Sequence, residues 1–393
     1  MQIPKMSDFD LKNKRVLIRE DFNVPIKHGV ILSDLRIQAA LPTIKAALKA
    51  KAKVMLMSHL GRPTEGNYDE IYSLAPVASA LSTLLKIEVP LIQDWIDGFE
   101  MGDSQVVLLE NVRFNHGETD NSNELSKKMA ALCDVFVMDA FATSHRAESS
   151  TCGIIKYAHA ACAGPLLVDE LTVLNKIFEK PAHPIVAIIG GSKVSTKLAL
   201  LDSLVKKVDT LIAGGGIANT FLAAEGYTVG RSLYEPDLID EAERLMTAAK
   251  ERGAAIPLPT DVIVAERFSK DAESAVRLIS QVEDSEKIFD IGPDTIAQFV
   301  GIIKKAKTIL WNGPVGAFEV DSFSKGTQAI AKAITESKAY KVAGGGDTLA
   351  AIEKYKLSNK LDYISTGGGA FLAVLEGKPL PVIVALTEHK SKH

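Results

Sequence analysis

Cysteine is nearly absent from this chain: Cys133, Cys152 and Cys162 are the only three in 393 residues, an odd number without metal-ligand spacing. No disulfide framework or cysteine-held metal therefore organises the fold, and reduced thiols in a reducing compartment are the simple expectation. Long apolar runs are missing too, none approaching the about 18 residues of a membrane span. The start, Met1 to Asp8, is too polar for a secretory signal, so a cytoplasmic location without a membrane partner is expected. Neither sign of charge dominates, since 45 Lys and Arg face 49 Asp and Glu, and a formal net charge of −4 gives nucleic acid no general basic surface. Any anion binding must be local. No repeat or low-complexity tract occurs. Neither a Walker A loop nor a complete Gly-x-Gly-x-x-Gly is present, and the nearest approach, residues 214–219, ends in Asn219. A dinucleotide-dependent dehydrogenase is disfavoured on that ground.

What the chain does contain is a rhythm of short Val/Ile/Leu-rich runs alternating with helix-like stretches, the pattern of parallel sheets covered on both faces. The runs are 15–19, 54–57, 106–109 and 135–138, then 185–189, 210–213, 256–259, 308–311 and 340–343. A length of 393 residues exceeds one ordinary core and predicts two α/β domains. The division is expected near 165–184, where a helical pattern through Leu167, Leu171, Leu174 and Phe178 precedes Pro181 and Pro184.

The two halves end their strands differently. In the first, the strand ends carry Asp21-Phe22-Asn23, His59-Leu60-Gly61-Arg62, Arg113 and His145-Arg146, with Arg36 beyond the Gly29 turn. Ligand crevices of open α/β sheets lie at the carboxyl ends of the strands, so these scattered groups can converge. Guanidinium forks suit phosphate and carboxylate. Each histidine is open to two readings, phosphate donor or packed side chain. The second half carries glycine turns instead, at 190–191, 214–216, 313–316, 344–346 and 367–369. Such turns let a phosphate approach backbone N–H groups, although a triplet such as 367–369 also serves close helix–strand packing. Lys193 and Lys197 follow the first pair, and a helix starting after Gly191 would set both on one face, a turn apart. Asp347 suits Mg²⁺ or a helix N-cap equally, and Glu319 suits ribose hydroxyls or solvent.

Together, Arg19-Glu20-Asp21-Phe22-Asn23-Val24-Pro25, Ser58-His59-Leu60-Gly61-Arg62-Pro63, Glu110-Asn111-Val112-Arg113-Phe114 and the segments 139–149, 190–197, 311–319 and 344–348 resemble the phosphoglycerate kinases over essentially the whole length. The resemblance implies two doubly wound domains with mainly parallel, six-stranded-type sheets joined by a helical hinge. It implies a phosphoglycerate-binding domain at 1–170, with a tail at 378–393 packing back on it, and a nucleotide-binding domain at 171–377. The implied reaction moves the acyl phosphate of 1,3-bisphosphoglycerate to ADP, giving 3-phosphoglycerate and ATP, with Mg²⁺, in a monomer that closes about its hinge. Carried over residue by residue, Asp21, Phe22, Asn23, Arg36, His59, Leu60, Gly61, Arg62, Arg113 and Arg146 fall on the phosphoglycerate side. Gly191, Lys197, Gly214, Asn312, Glu319, Gly345, Gly346, Asp347 and Thr348 fall on the nucleotide side, Asp347 also on the metal. Arg36 and Lys193 would flank the moving phosphoryl group as the catalytic pair. Glu20 and Ala142-Thr143-Ser144 depart from the usual pattern, which predicts altered loop packing at those points.

The chemistry fits these residue types. In the direction away from ATP formation a carboxylate attacks, already ionised at neutral pH, so no general base is needed. What transfer needs is cations around the phosphoryl oxygens, and the chain supplies them. A non-catalytic anion-binding α/β protein would keep the pockets without needing Arg36, Lys193 and Asp347 together.

Overall fold

The computed structural model describes residues 3–178, 181–365 and 367–390. The chain forms two compact units, Met1–Thr172 with Pro379–His393, and Val173–Lys378, so the division falls inside the helix Pro165–Phe178.

In the first unit the strands are β1 (Arg15–Arg19), β2 (Ile26–Lys27), β3 (Val30–Ile31), β4 (Lys53–Met57), β5 (Leu91–Ile92), β6 (Val106–Leu109), β7 (Val135–Met138) and β8 (Ala161–Ala163). Six form a parallel sheet in the order β5-β6-β4-β1-β7-β8, while β2 and β3 make a small antiparallel hairpin. The four residues of β6 and of β7 are all buried, as their unbroken apolar runs require of strands covered on both faces. Val16, Ile18, Val54, Leu56, Leu108 and Val137 meet Ile37 and Ile44 of the helix Leu35–Lys49 in one core. Because neighbouring strands run parallel, the ends of β1, β4, β6 and β7 reach one edge of the sheet, which is what gathers the arginines. The helix Pro381–Lys390 belongs to this unit, with Val382 and Leu386 fully buried and the Val382 N–H donating to Ser144 O at 3.3 Å.

In the second unit the strands are β9 (Ile185–Gly191), β10 (Thr210–Gly214), β11 (Asp261–Ala265), β12 (Ala275–Leu278), β13 (Lys287–Ile291), β14 (Thr308–Asn312), β15 (Tyr340–Gly344) and β16 (Tyr363–Ser365). Its parallel sheet has five strands, not six, in the order β10-β9-β14-β15-β16. The chain spends β11 to β13 on a separate antiparallel sheet ordered β12-β11-β13, with its own core around Val262, Val264 and Val282. The helix Lys325–Glu336 covers the main sheet with Thr327, Ile330, Ala331 and Ile334, the i, i+3, i+4, i+7 stripe of an amphipathic helix. The expected strand at 256–259 does not form: only Ala255 bridges to Thr210, and Pro257 and Pro259 have no N–H to give a ladder. Short strands such as β5 and β8 carried too little pattern to be foreseen.

Candidate active site

At the strand-end edge of the first unit, backbone and side chains interlock. The Asp21 carboxylate takes an ion pair from Arg36 Nη1 at 2.7 Å, and the same nitrogen donates to Asn23 O at 3.1 Å. Asn23 Oδ1 accepts the Gly61 N–H at 2.9 Å, and Gly61 O accepts Arg113 Nη1 at 2.7 Å. Arg113 Nη2 meets Glu148 Oε1 at 3.0 Å, and Arg146 Nη1 approaches the same oxygen at 3.7 Å. Asn111 staples the loop, accepting the Leu60 and Arg113 N–H groups and donating to Leu60 O and Tyr72 O. Of the predicted residues, Phe22 and Leu60 are core side chains, so only their backbone stands at the edge. Arg62 is exposed and has no partner among the described residues. The Arg36 and Arg146 side chains are 33% and 37% exposed, so both reach the surface of this edge.

His59 is buried, and both open readings apply to it: it is packed, yet one nitrogen is left over. Burial first, then the charges of Arg19, Arg113, Arg146 and Arg36, push its pKa well below the usual histidine range, so the ring is neutral. Arg19, Arg113, Arg146 and Arg36 thus all stand within electrostatic reach of this one ring. Arg19 Nη2 lies 3.3 Å from Nδ1, which assigns the ring proton to Nε2, an N–H with no partner among the described residues. His145 is half-buried and also held low by burial and by Arg146, whose Nε donates to its Nε2 at 3.3 Å.

Arg19 is a residue the sequence reading left without a role. It is wholly buried, and it donates to Ser150 Oγ at 2.9 Å and to Glu20 O at 2.5 Å. Ser150 is held in turn by Glu118, whose carboxyl burial pushes up to about 7. A charged residue closing the apolar run 15–19 was the available signal. Glu20 is fully buried with neither carboxyl oxygen hydrogen-bonded among the described residues, and burial followed by the charges of Asp139 and Asp21 drives it well above the carboxylate range, hence protonated. Thr143 and Ser144, the other departures, are buried and bond their own turn through Ala140 O and Phe141 O.

In the second unit β9, β10, β14 and β15 end on or beside glycines, and Gly367, the N-cap of a helix, stands two residues past β16. A Cβ on Gly190 would lie 1.7 Å from Pro314 O, so the end of β9 and the turn after β14 touch through backbone alone. Gly345, at φ +102°, is the N-cap of the helix Gly346–Lys354 and leaves Asp347 in its first turn; Asp347 is not the cap. Thr348 is fully buried and its Oγ1 has no hydrogen-bond partner among the described residues. A cleft of about 660 Å³ opens here, lined by Gly191, Gly216, Leu233, Tyr234, Phe289, Pro314, Glu319 and Asp347. The aromatic and aliphatic wall came from sequence that had given no signal. Lys197, Gly214, Asn312, Gly345 and Thr348 stand behind the lining, and Gly346 is exposed at the helix start.

The lysines are not arranged as expected. The helix begins at Leu198 and not after Gly191, because β9 continues through Gly191 and 195–197 form a turn. Lys193 therefore projects from an exposed loop. Lys197 folds back, its Nζ donating to Gly190 O at 2.5 Å, Asn312 Oδ1 at 2.8 Å and Asn312 O at 3.1 Å. Burial pushes its pKa down to about 8, opposed by the charge of Asp347.

No group of three or more metal-ligating side chains occurs among the described residues. Asp347 is an exposed carboxylate without hydrogen bond or ion pair among them, beside the cleft. A lone carboxylate next to a phosphate site is what Mg²⁺ uses, since phosphate oxygens and water complete its shell. A second cavity, about 440 Å³ in the first unit beside Tyr68, Trp95 and Phe114, includes none of the predicted site residues.

Residues 6–378 match the family model described as phosphoglycerate kinase. A phosphoglycerate kinase of Nitratidesulfovibrio vulgaris is 57% identical over 392 residues, covering 100% of both chains. The solved phosphoglycerate kinase of Coxiella burnetii superposes with a TM-score of 0.94 at 54% identity, covering 98% of this chain and 99% of that one. That of Pyrococcus horikoshii OT3 gives 0.84 at 32% identity, covering 100% of both.

Proposed function

This chain belongs to the phosphoglycerate kinase family, and from that premise we propose how its residues divide the reaction. The enzyme transfers phosphate between 1,3-bisphosphoglycerate and ADP in glycolysis, yielding 3-phosphoglycerate and ATP. In our reading the edge formed by β1, β4, β6 and β7 binds the phosphoglycerate and the five-stranded sheet's edge binds the nucleotide. The observation that carries it is the split itself: arginine and neutral His59 gather in one unit, glycine turns and a free Asp347 in the other.

On the phosphoglycerate side, Arg62 and Arg146 supply forks to the ligand's phosphate, and His59 Nε2–H supplies a neutral hydrogen-bond donor. Arg36 is held by Asp21 beside Asn23, ready to face the acyl end. On the nucleotide side Leu233, Tyr234 and Phe289 suit the flat apolar face of a base and Glu319 the ribose hydroxyls. The first-turn N–H groups after Gly345 suit the phosphates. Mg²⁺, if bound, would sit at Asp347 and neutralise phosphate charge. Arg36 and Lys193 steady the phosphoryl oxygens during in-line transfer, and no residue need take a proton because the glycerate oxygen is a carboxylate.

We extend the proposal to closure about the connecting segment, seen as compaction in scattering when both substrates bind, to a monomer, and to a cytoplasmic location. No helix among the described residues is long and apolar enough to cross a membrane. A coupled assay of ATP formation from the acyl phosphate tests the assignment of roles. Arg36→Ala and Lys193→Ala should each cut turnover by roughly 10³ to 10⁵, the scale of losing a cation on a phosphoryl group. Near-normal turnover in either variant would remove that residue from the mechanism.

A further inference from the structure

The loop joining β9 to the helix Leu198–Val205 carries Lys193, and its shape is imposed from outside. Glu235 is half-buried and 40 residues away in sequence from Ser195; its Oε2 accepts the Ser195 N–H at 2.9 Å and its Oε1 the Ser195 hydroxyl at 2.5 Å. Although burial works against it, these bonds, a further one from the Val194 N–H and the charge of Lys193 hold the Glu235 carboxyl below its ordinary range. The backbone of Glu235 is fixed in turn, its N–H donating to Thr220 Oγ1 at 3.2 Å. Two residues before Glu235, Leu233 O accepts Asn219 Nδ2 at 3.0 Å.

Loop and cleft wall thus share one support, the start of the helix Gly215–Ala224. A Cβ on Gly216 would lie 2.1 Å from Ser192 O and 3.2 Å from Leu233 O, so both segments press on that glycine. Leu233 and Tyr234 line the cleft, and so does Ser192, the neighbour of Lys193.

We propose that Glu235 is a positioning residue for Lys193, tying the loop that carries this lysine to the cleft wall at Leu233 and Tyr234. A nucleotide base seated on that wall then steadies the lysine through Glu235 and Ser195. The inference deepens the role proposed for Lys193 and rests on it. Nothing in the contact requires Glu235 to touch substrate.

The test is a double-mutant cycle of Glu235→Ala and Lys193→Ala in the full-length enzyme, with Glu235→Gln as the conservative variant. Glu235→Ala should lower kcat by roughly 10- to 100-fold, the cost of a misplaced catalytic group, with KM for phosphoglycerate unchanged. Glu235→Gln, keeping one acceptor oxygen, should fall between the two. In the Lys193→Ala background the same Glu235→Ala change should cost nothing more, because its effect passes through the missing lysine. Hydrogen exchange of the Ser195 amide, faster in Glu235→Ala, reads the clamp without reference to activity. Full turnover in Glu235→Ala while Lys193→Ala is impaired would overturn the inference alone, as would an equal loss with and without Lys193. Undiminished turnover in Lys193→Ala would instead remove the catalytic role of the lysine, leaving the accelerated exchange as the mark of a merely structural contact.

Discussion

Lys197 offers the sharpest quantitative test, because its charge is maintained against burial by carbonyl oxygens and not by a bonded carboxylate. With a pKa of about 8 and three oxygens around Nζ, the ammonium of the free enzyme titrates within reach of neutral pH. On the proposal that the nucleotide's phosphates settle near Lys197, their charge favours the protonated form, so nucleotide binding takes up a proton wherever the free lysine has lost its own. With that pKa, the protonated fraction is roughly nine-tenths at pH 7, one-half at pH 8 and one-tenth at pH 9. ADP affinity should therefore fall about tenfold, about 1.4 kcal/mol, between pH 7 and 9. Calorimetry in two buffers of different ionisation enthalpy should read an uptake of about 0.5 proton at pH 8, rising toward 0.9 at pH 9. Lys197→Arg keeps the charge without titrating, and so isolates the lysine from any titration of the ligand. Zero uptake by the native enzyme at pH 8, or the same uptake in Lys197→Arg, would refute the reasoning. For the unliganded fold the sign is opposite. The unfolded chain holds this proton up to 10.5 and the folded one only to about 8, so stability rises with pH between those values.

Further outcomes are open to direct measurement. By calorimetry, Arg62→Ala should weaken phosphoglycerate binding and leave ADP affinity unchanged, and Glu319→Ala should do the reverse; the opposite pattern would exchange the two half-sites. Gly190→Ala places a methyl group against Pro314 O and should destabilise the second unit by about 1 to 3 kcal/mol, seen as a lowered Tm. Asp290 is buried, its Oδ1 has no hydrogen-bond partner among the described residues, and burial pushes its pKa from 3.8 to about 7 against the N–H groups of Gly326 and Ile291. The unfolded chain ionises first, so the native protein loses up to about 4 kcal/mol as pH rises through that window, a loss that Asp290→Asn should lack. A stability difference independent of pH would show that the carboxyl is not held protonated.

Much of this molecule is written in local sequence. Runs such as 106–109 and 135–138 are apolar throughout, and only strands buried on both faces tolerate that, so the class of fold follows from the hydrophobic effect alone. Which residue types gather at each edge was legible for a similar reason: arginines and glycines follow strand ends in the sequence, and parallel strands deliver their ends to one edge. What local sequence does not contain is the direction in which a side chain turns once its neighbours arrive. Lys193 and Lys197 are four residues apart and look alike, yet Gly190 O and Asn312, the latter 115 residues on, draw one inward while Glu235 shapes the loop of the other. His59 and Arg19 are 40 residues apart, and only packing makes one fix the proton of the other. The same holds for the cleft wall, where Leu233 and Phe289 carry no signal of their own, and for 256–259, where two prolines overrule an apolar pattern. Sequence determined which groups exist and on which edge they gather. Tertiary contact decided which of them are charged, held or free, because burial and long-range hydrogen bonds set those states.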